Sequence, residues 1–255
     1  MDHAASRDER LTEAFAALHA VVDPELDEPI TDLGFVRTLV VSPSGNVKLH
    51  LRLPTSFCSP NFAYLMASDA KDVLVGLDWT RQVVVELDDH HDSDIINAGL
   101  ASDAGYRGTF AHEALESLDE LRELFKRKAH TAAMERCLTA LLRADASRSD
   151  DDMGHVTLGD LPADETTAAL LRRRAALELP CTADALVLVD HEGRGYPDVP
   201  MALRRARSTR ISIDGNAHFC RGLLRTRYGD DEAGSQDPTF IPLHSMIPAL
   251  EGAPS

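Results

Sequence analysis

The sequence predicts an α+β protein. A small α/β unit over residues 1–110, ordered helix, strand, strand, helix, strand, precedes a mainly helical region with a few short strands. Three observations carry this. Residues 47–53 alternate, with Val47, Leu49, Leu51 and Leu53 on one face and Lys48, His50 and Arg52 on the other, the period of a half-buried strand. Directly after it, Phe62, Leu65, Met66, Ala70 and Val73 recur at helical spacing. From His112 to Arg143 the pattern is again helical, through Leu115, Leu118, Leu121, Phe125, Ala129, Met134, Leu138, Leu141 and Leu142.

Taken in order, Ser6-Arg7-Asp8-Glu9 has the spacing of a capping box, and Leu11, Phe15, Leu18 and Val22 follow as one helix face. That helix must end by Asp23-Pro24, because the residue before a proline avoids the α region. Residues 25–34 form a carboxylate-rich loop. Phe35 to Val41 reads as a strand, Ser42 to Asn46 as a turn and Val47 to Leu53 as its hairpin partner. Ser59 can cap the next helix, with Pro60 at a first-turn position where a missing N–H costs nothing. Gly76-Leu77-Asp78 ends that helix, and Arg81 to Leu87, with Val83, Val84 and Val85, is the third strand. It runs into Asp88-Asp89-His90-His91-Asp92-Ser93-Asp94.

The helical segment over residues 111–145 is long enough to predict a break or a hairpin. Residues 146–155 form a polar, charged linker, and residues 156–255 an α/β extension. In the extension, Asp164-Glu165 opens a helix toward Leu179, Ala185 to Val189 and Thr209 to Ile213 read as strands, and Asp214-Gly215 turns into a last helix through His218, Cys220 and Leu224. The tail from Gly229 reads as loosely held.

Composition narrows the function. The chain has 255 residues, 44% hydrophobic but only 5% aromatic, so its cores rest on Leu, Val and Ala. A net charge of −16 argues against a nucleic-acid surface or an anionic membrane. The four cysteines, Cys58, Cys137, Cys181 and Cys220, are widely spaced and contain no C-x-x-C, so neither a disulfide framework nor a zinc knuckle is indicated. The sequence opens Met1-Asp2-His3 without an apolar leader, and no apolar run approaches the roughly 18 residues of a membrane span. A cytoplasmic, soluble protein with reduced thiols is expected.

Two stretches carry candidate chemistry. Cys58 falls beside a helix N-terminus, whose partial positive charge favours a thiolate. It reads as a metal or sulfur ligand, a nucleophile, or a small apolar residue packed under the turn. His90 and His91, among four aspartates, read as a hard-metal or iron site or as a solvated loop. Cys181, His191, His218 and Cys220 could in principle hold zinc or iron, but their spacing fits no established pattern. Cys137 reads as a packing residue, and Arg172-Arg173-Arg174 as a solvated helix face.

Three segments together, Asp23-Pro24-Glu25, Asp32-Leu33-Gly34-Phe35-Val36 and Thr55-Ser56-Phe57-Cys58 before a helix, resemble the SufT/PaaD-like iron–sulfur cluster assembly domain family. The resemblance covers roughly residues 8–110. It implies a small α/β domain that assists maturation: delivery of iron or an iron–sulfur cluster, held transiently, to a client metalloenzyme such as an oxygenase component. It assigns Cys58 as the central ligand or persulfide acceptor, with Asp23, Glu25, Asp32 and Thr55 ordering its turn or adding ligands. Other assembly proteins, and a second copy of the chain, are the further partners it implies. This sequence differs from many bacterial members in having Ser59 between the cysteine and Pro60. It also has the His90/His91 loop in place of a Pro-Pro-Trp-like turn. The region from His112 has no counterpart in the minimal domain, and client docking is its natural assignment. The competing readings are an enzyme, either a metal-dependent hydrolase using the His90/His91/Asp loop or a Cys58 thiol catalyst with His50 or His90 as base, and a non-catalytic interaction module.

Overall fold

Ser6 opens the first helix with a complete capping box. Its side chain accepts the Glu9 N–H while the Glu9 carboxylate accepts the Ser6 N–H, and α1 spans Arg7–Leu18. The computed structural model containing this helix describes residues 6–110 and 118–229. The buried stripe of α1 is Ala14 and Leu18, while Phe15 and Val22, expected on that face, are exposed. The helix ends at Leu18, five residues before Asp23-Pro24, and the carboxylate-rich loop is not irregular throughout. Val22–Asp23 (β1) and Glu28–Pro29 (β2) pair antiparallel across its base.

The main sheet has three strands, β3 (Val36–Val41), β4 (Asn46–Arg52) and β5 (Gln82–Asp88), in that spatial order. β3 and β4 form the expected hairpin. Its turn needs Gly45 at φ +88°, where a Cβ would lie 2.4 Å from the Trp79 carbonyl oxygen. β5 returns parallel to β4 after the crossover helix α2 (Pro60–Val75). Alternation along β4 puts Val47, Leu49 and Leu51 in the core. On the opposite face Lys48 and His50 meet Glu86, at 3.2 and 3.3 Å, so the sheet has one dry and one wet side. Two helices after β5, α3 (Ser93–Ala101) and α4 (Gly105–Phe110), were not read from the sequence, although Ile96 and Leu100 supply a helical stripe.

The second region is helical, giving the α+β class overall. α5 (Leu118–Ala144) runs without the expected break; the part of that segment at residues 111–117 lies outside the described residues. The expected linker is partly core, because a 3-10 turn at Asp151–His155 buries Met153 completely. α6 (Glu165–Ala176) is capped by Asp164, which accepts the Thr167 N–H at 2.9 Å. Residues 185–189 make only isolated bridges, Thr157 with Leu186 and Val189 with Gly195. Thr209–Ile213 and Asp214-Gly215, expected as a strand and a turn, lie inside one continuous helix, α7 (Val199–Tyr228). Its buried residues, Ala202, Leu203, Ala206, Ile213, Ala217, Leu224 and Tyr228, fall on one face at intervals of mostly three, four or seven positions, and that long register overrides the short β-branched run. The tail from residue 230 lies outside the described residues.

Arg174 also departs from expectation. It is 1% exposed and donates to the Pro180 and Leu186 carbonyls, while Arg173 pairs with Asp27 of the β1–β2 loop. Only Arg172 of that basic run is a solvated face. Two hydrophobic clusters result. One is built on the sheet, α1, α2 and α3; the other joins α5, α6 and the turns between them. The first half of α7 packs in the second cluster, and Ala217, Leu224 and Tyr228 pack in the first. None of the helices among the described residues is long and apolar enough to cross a membrane.

Candidate functional site

The turn from β4 into α2 is held from both sides. Leu53 and Pro54 are buried, and the Thr55 hydroxyl accepts the Phe57 N–H at 3.2 Å, closing a local turn. The same oxygen lies 3.5 Å from the Cys58 sulfur. The Ser59 carbonyl starts α2 by accepting the Phe62 and Ala63 N–H groups, both at 3.0 Å. Ser59 makes no side-chain cap, so Pro60 and this carbonyl set the helix start. Cys58 is half-buried, and Phe57 beside it is 81% exposed.

The loop after β5 packs against this turn. The His91 N–H donates to the Ser56 carbonyl at 2.8 Å, and the His91 ring lies 5.8 Å from the Phe57 ring. Asp89, at φ +53°, makes the reversal that brings the loop back. His90 is 5% exposed and is used at both ring nitrogens. The Asp92 N–H donates to Nδ1 at 3.1 Å, which leaves the proton on Nε2, and Nε2 donates to the Cys58 carbonyl at 2.8 Å. The tautomer follows from a backbone donor that cannot be reversed. His90 therefore fixes the Cys58 backbone, and both of its ring nitrogens are engaged within the protein.

The other motif residues surround the turn unequally. Asp23 is buried and accepts the Glu25 and Leu26 N–H groups at 2.9 and 2.8 Å. Burial pushes its carboxyl up to about 6 against the pull of those two hydrogen bonds, and the Glu25 charge adds to the rise. Gly34 takes φ +75°. Its carbonyl accepts Arg52 Nε at 3.3 Å, and the Phe35 carbonyl accepts the Arg52 N–H at 2.8 Å, tying the Asp-Leu-Gly segment to the end of β4. Asp32 is exposed and faces His19 and Thr31, at 3.4 and 3.3 Å, so it acts locally.

Sequence reasoning missed what α7 contributes. Arg227 donates to the Leu53 carbonyl (3.3 Å), the Ser56 hydroxyl (2.8 Å) and the Asp89 carbonyl (2.6 Å), clamping both loops. The Tyr228 hydroxyl donates to Asp89 at 3.3 Å, and the Arg52 guanidinium lies 4.8 Å over the Tyr228 ring. Asn216 donates to Glu25 at 3.0 Å, and Arg221 pairs with Glu28. The available signal was the spacing of Ala217, Cys220, Leu224 and Tyr228.

Among the described residues, no group of three or more His, Cys, Asp or Glu side chains is arranged to hold a metal ion. That applies equally to the His90/His91/Asp loop and to Cys181, His191, His218 and Cys220. The bases considered for a thiol enzyme are also committed elsewhere. His50 lies 2.9 Å from Asp88, and His90 faces the Cys58 carbonyl rather than its sulfur. What the turn offers is a single half-buried thiol, a soft donor of the kind thiophilic metals take.

A family model described as iron–sulfur cluster assembly protein matches residues 11–87. An uncharacterized protein of Methanocaldococcus jannaschii is 34% identical over 74 residues, which are 29% of this chain and 76% of that protein. The chain belongs to the iron–sulfur cluster assembly protein family. The family match contains Asp23, Glu25, Asp32, Thr55 and Cys58, whereas His90, His91 and α7 lie beyond it. An iron–sulfur cluster carrier protein of Mycobacterium leprae is 45% identical over 42 residues, 16% of this chain. The matched stretch spans only 11% of that relative's length. A crystal structure of a domain of unknown function from Bacillus anthracis aligns with 40% of this chain and 96% of its own, at 22% identity and a TM-score of 0.30.

Proposed function

We propose that this protein is a maturation factor that holds iron or an iron–sulfur unit transiently on Cys58 and passes it to a client metalloenzyme, with an oxygenase component as the client class. One observation carries the reading: the Cys58 thiol is half-buried in a turn held by Thr55, His90 and Arg227, next to the exposed Phe57 ring. A fixed sulfur with an incomplete ligand set can take cargo and release it, since sulfide, a small thiol, a client or a second copy supplies the remaining positions. Phe57 gives a client an apolar contact beside the sulfur. In this reading residues 1–110 are the assembly unit and the region beyond them docks the client, in the cytoplasm where thiols stay reduced.

The test is anaerobic reconstitution of the full chain with ferrous iron and sulfide. The parent is expected to gain oxygen-sensitive visible absorbance with stoichiometric iron, and Cys58→Ser to lose both. Equal iron and sulfide in parent and variant would sink the proposal.

A further inference from the structure

Glu135 of α5 is 1% exposed and carries more positive charge than one carboxylate needs. Its oxygens accept the Thr139 hydroxyl at 2.7 Å and Arg207 Nε at 3.2 Å, and they pair with Arg210 Nε. Arg210 also donates to one oxygen of Asp214 at 2.7 Å, and Arg136 to the other at 2.7 Å. A buried acceptor thus anchors two guanidinium groups of α7 against α5. Beside this network lies a cavity of about 390 Å³, lined by Thr139, Leu142, Arg143, Arg207 and Arg210. Arg143 is exposed and has no ion-pair partner among the described residues.

Charge decides what the cavity takes. In this cluster the four arginines Arg136, Arg143, Arg207 and Arg210 share the two carboxylates of Glu135 and Asp214, which leaves a positive excess in a chain whose net charge is −16. A last-turn arginine complements the C-terminal end of its helix, and that accounts for Arg143 alone. Arg207 and Arg210 lie well inside α7, where no helix end calls for them. Arg207 spends only Nε on Glu135, and Arg210 spends Nε and one terminal nitrogen, so terminal N–H groups of both are left for a ligand. We propose that this cavity binds the diphosphate group of a small molecule, whether free pyrophosphate or the phosphate end of a nucleotide. Planar guanidinium groups match phosphate oxygens in pairs, and a multivalent anion supplies the charge the cluster lacks. Leu142 is the one apolar side chain of the lining and no aromatic ring belongs to it, so the phosphates are read and a base is not. The site is independent of the Cys58 reading, although it sits on the helix whose far end covers that turn.

Calorimetric titration of the full chain, without divalent cations, tests this with pyrophosphate and ADP as probes. The parent is expected to bind one equivalent of pyrophosphate, more weakly as salt is raised. Arg143→Ala and Arg207→Ala should each weaken it by about tenfold and reduce the rise in melting midpoint that it causes. Arg143 is exposed and unpaired, so its loss reads the site without a folding effect. Arg225→Ala removes an exposed arginine from the far end of α7 and should leave the affinity unchanged. ADP binding within about threefold of pyrophosphate assigns the diphosphate group that both share, and ADP weaker by about tenfold or more assigns free pyrophosphate as the source. No binding of pyrophosphate by the parent at millimolar concentration overturns the site. So does an unchanged affinity in either cavity variant, or equal weakening by Arg225→Ala, which would reduce the effect to general charge. ADP tighter than pyrophosphate by about tenfold would mean that a base is read, and the assignment to phosphate alone fails.

Discussion

Asp23 sets burial against hydrogen bonding at a single carboxylate. Two backbone N–H groups hold its oxygen, yet burial raises its pKa from 3.8 to about 6. The folded state therefore binds the Asp23 proton more tightly than the unfolded chain does. Its stabilising contribution is complete below about pH 4, is lost as the pH rises to about 6, and is constant above that. Asp23→Asn keeps an oxygen for the two N–H groups and removes the titration. The difference in thermal midpoint between variant and parent should therefore move in the variant's favour between pH 4 and 6 and level off above. Asp27 and Asp69, also raised by burial, and His130, lowered to about 4, remain in both proteins, so the difference isolates Asp23. Parallel melting profiles across that window would show that Asp23 titrates normally. At this scale the motif was legible in part. Asp-Pro-Glu and Thr-x-x-Cys point to a closed turn because their side chains act within two or three residues of themselves. The role of His90 was not legible, since it depends on which partner meets each ring nitrogen, and those partners are Cys58, thirty-two positions earlier, and its own loop.

The helix that covers the site is the element least visible in the sequence. Thr209, Ile211 and Ile213 alternate over too short a window to reveal the register that runs from Ala202 to Tyr228, and Asp214-Gly215 mimics a turn. By contrast α1, β3, β4 and α2 announce themselves through local signals: a capping box, strict alternation and a proline in the first helical turn. The end of α7 is held over the site chiefly by Arg227, whose three hydrogen bonds join the Cys58 turn to the Asp89 carbonyl. Removing charged donors to carbonyls costs about 1.5–3 kcal/mol each when the acceptors stay buried, and less where water replaces them. Arg227→Ala should loosen the last turns of α7 without unfolding the domain. The rates at which Cys58 and Cys220 react with an alkylating reagent, read by peptide mass spectrometry, should rise several-fold, while that of the already exposed Cys181 stays constant. Unchanged rates at Cys58 and Cys220 would mean that Arg227 does not hold the cover.

Across the whole molecule, the family domain and the helical region are joined by elements that belong to both. α5 meets α2 through Phe125 and Phe62, with rings 5.0 Å apart and edge-on, and through Arg122 with Asp69. α6 reaches the β1–β2 loop through Arg173 and Asp27. α7 has Leu203 in the second core and Leu224 in the first, and between them Arg210 is held by Glu135 and Asp214. A helix continuous through both cores cannot lose its packing in one without reducing the constraint on its other half. Leu203 is 3% exposed, and Leu203→Ala removes a packed side chain at a cost of about 2–5 kcal/mol. The decisive measurement is amide hydrogen exchange along α7. Coupled cores predict faster exchange both around Ala202 to Ala206 and around Ala217 to Tyr228, with greater Cys220 reactivity, even though the substitution lies more than four helical turns from Cys220. Independent cores predict faster exchange only in the first half of the helix. The first outcome would make the helical region a control on access to the Cys58 turn, because the helix that covers the turn is shared between the two cores.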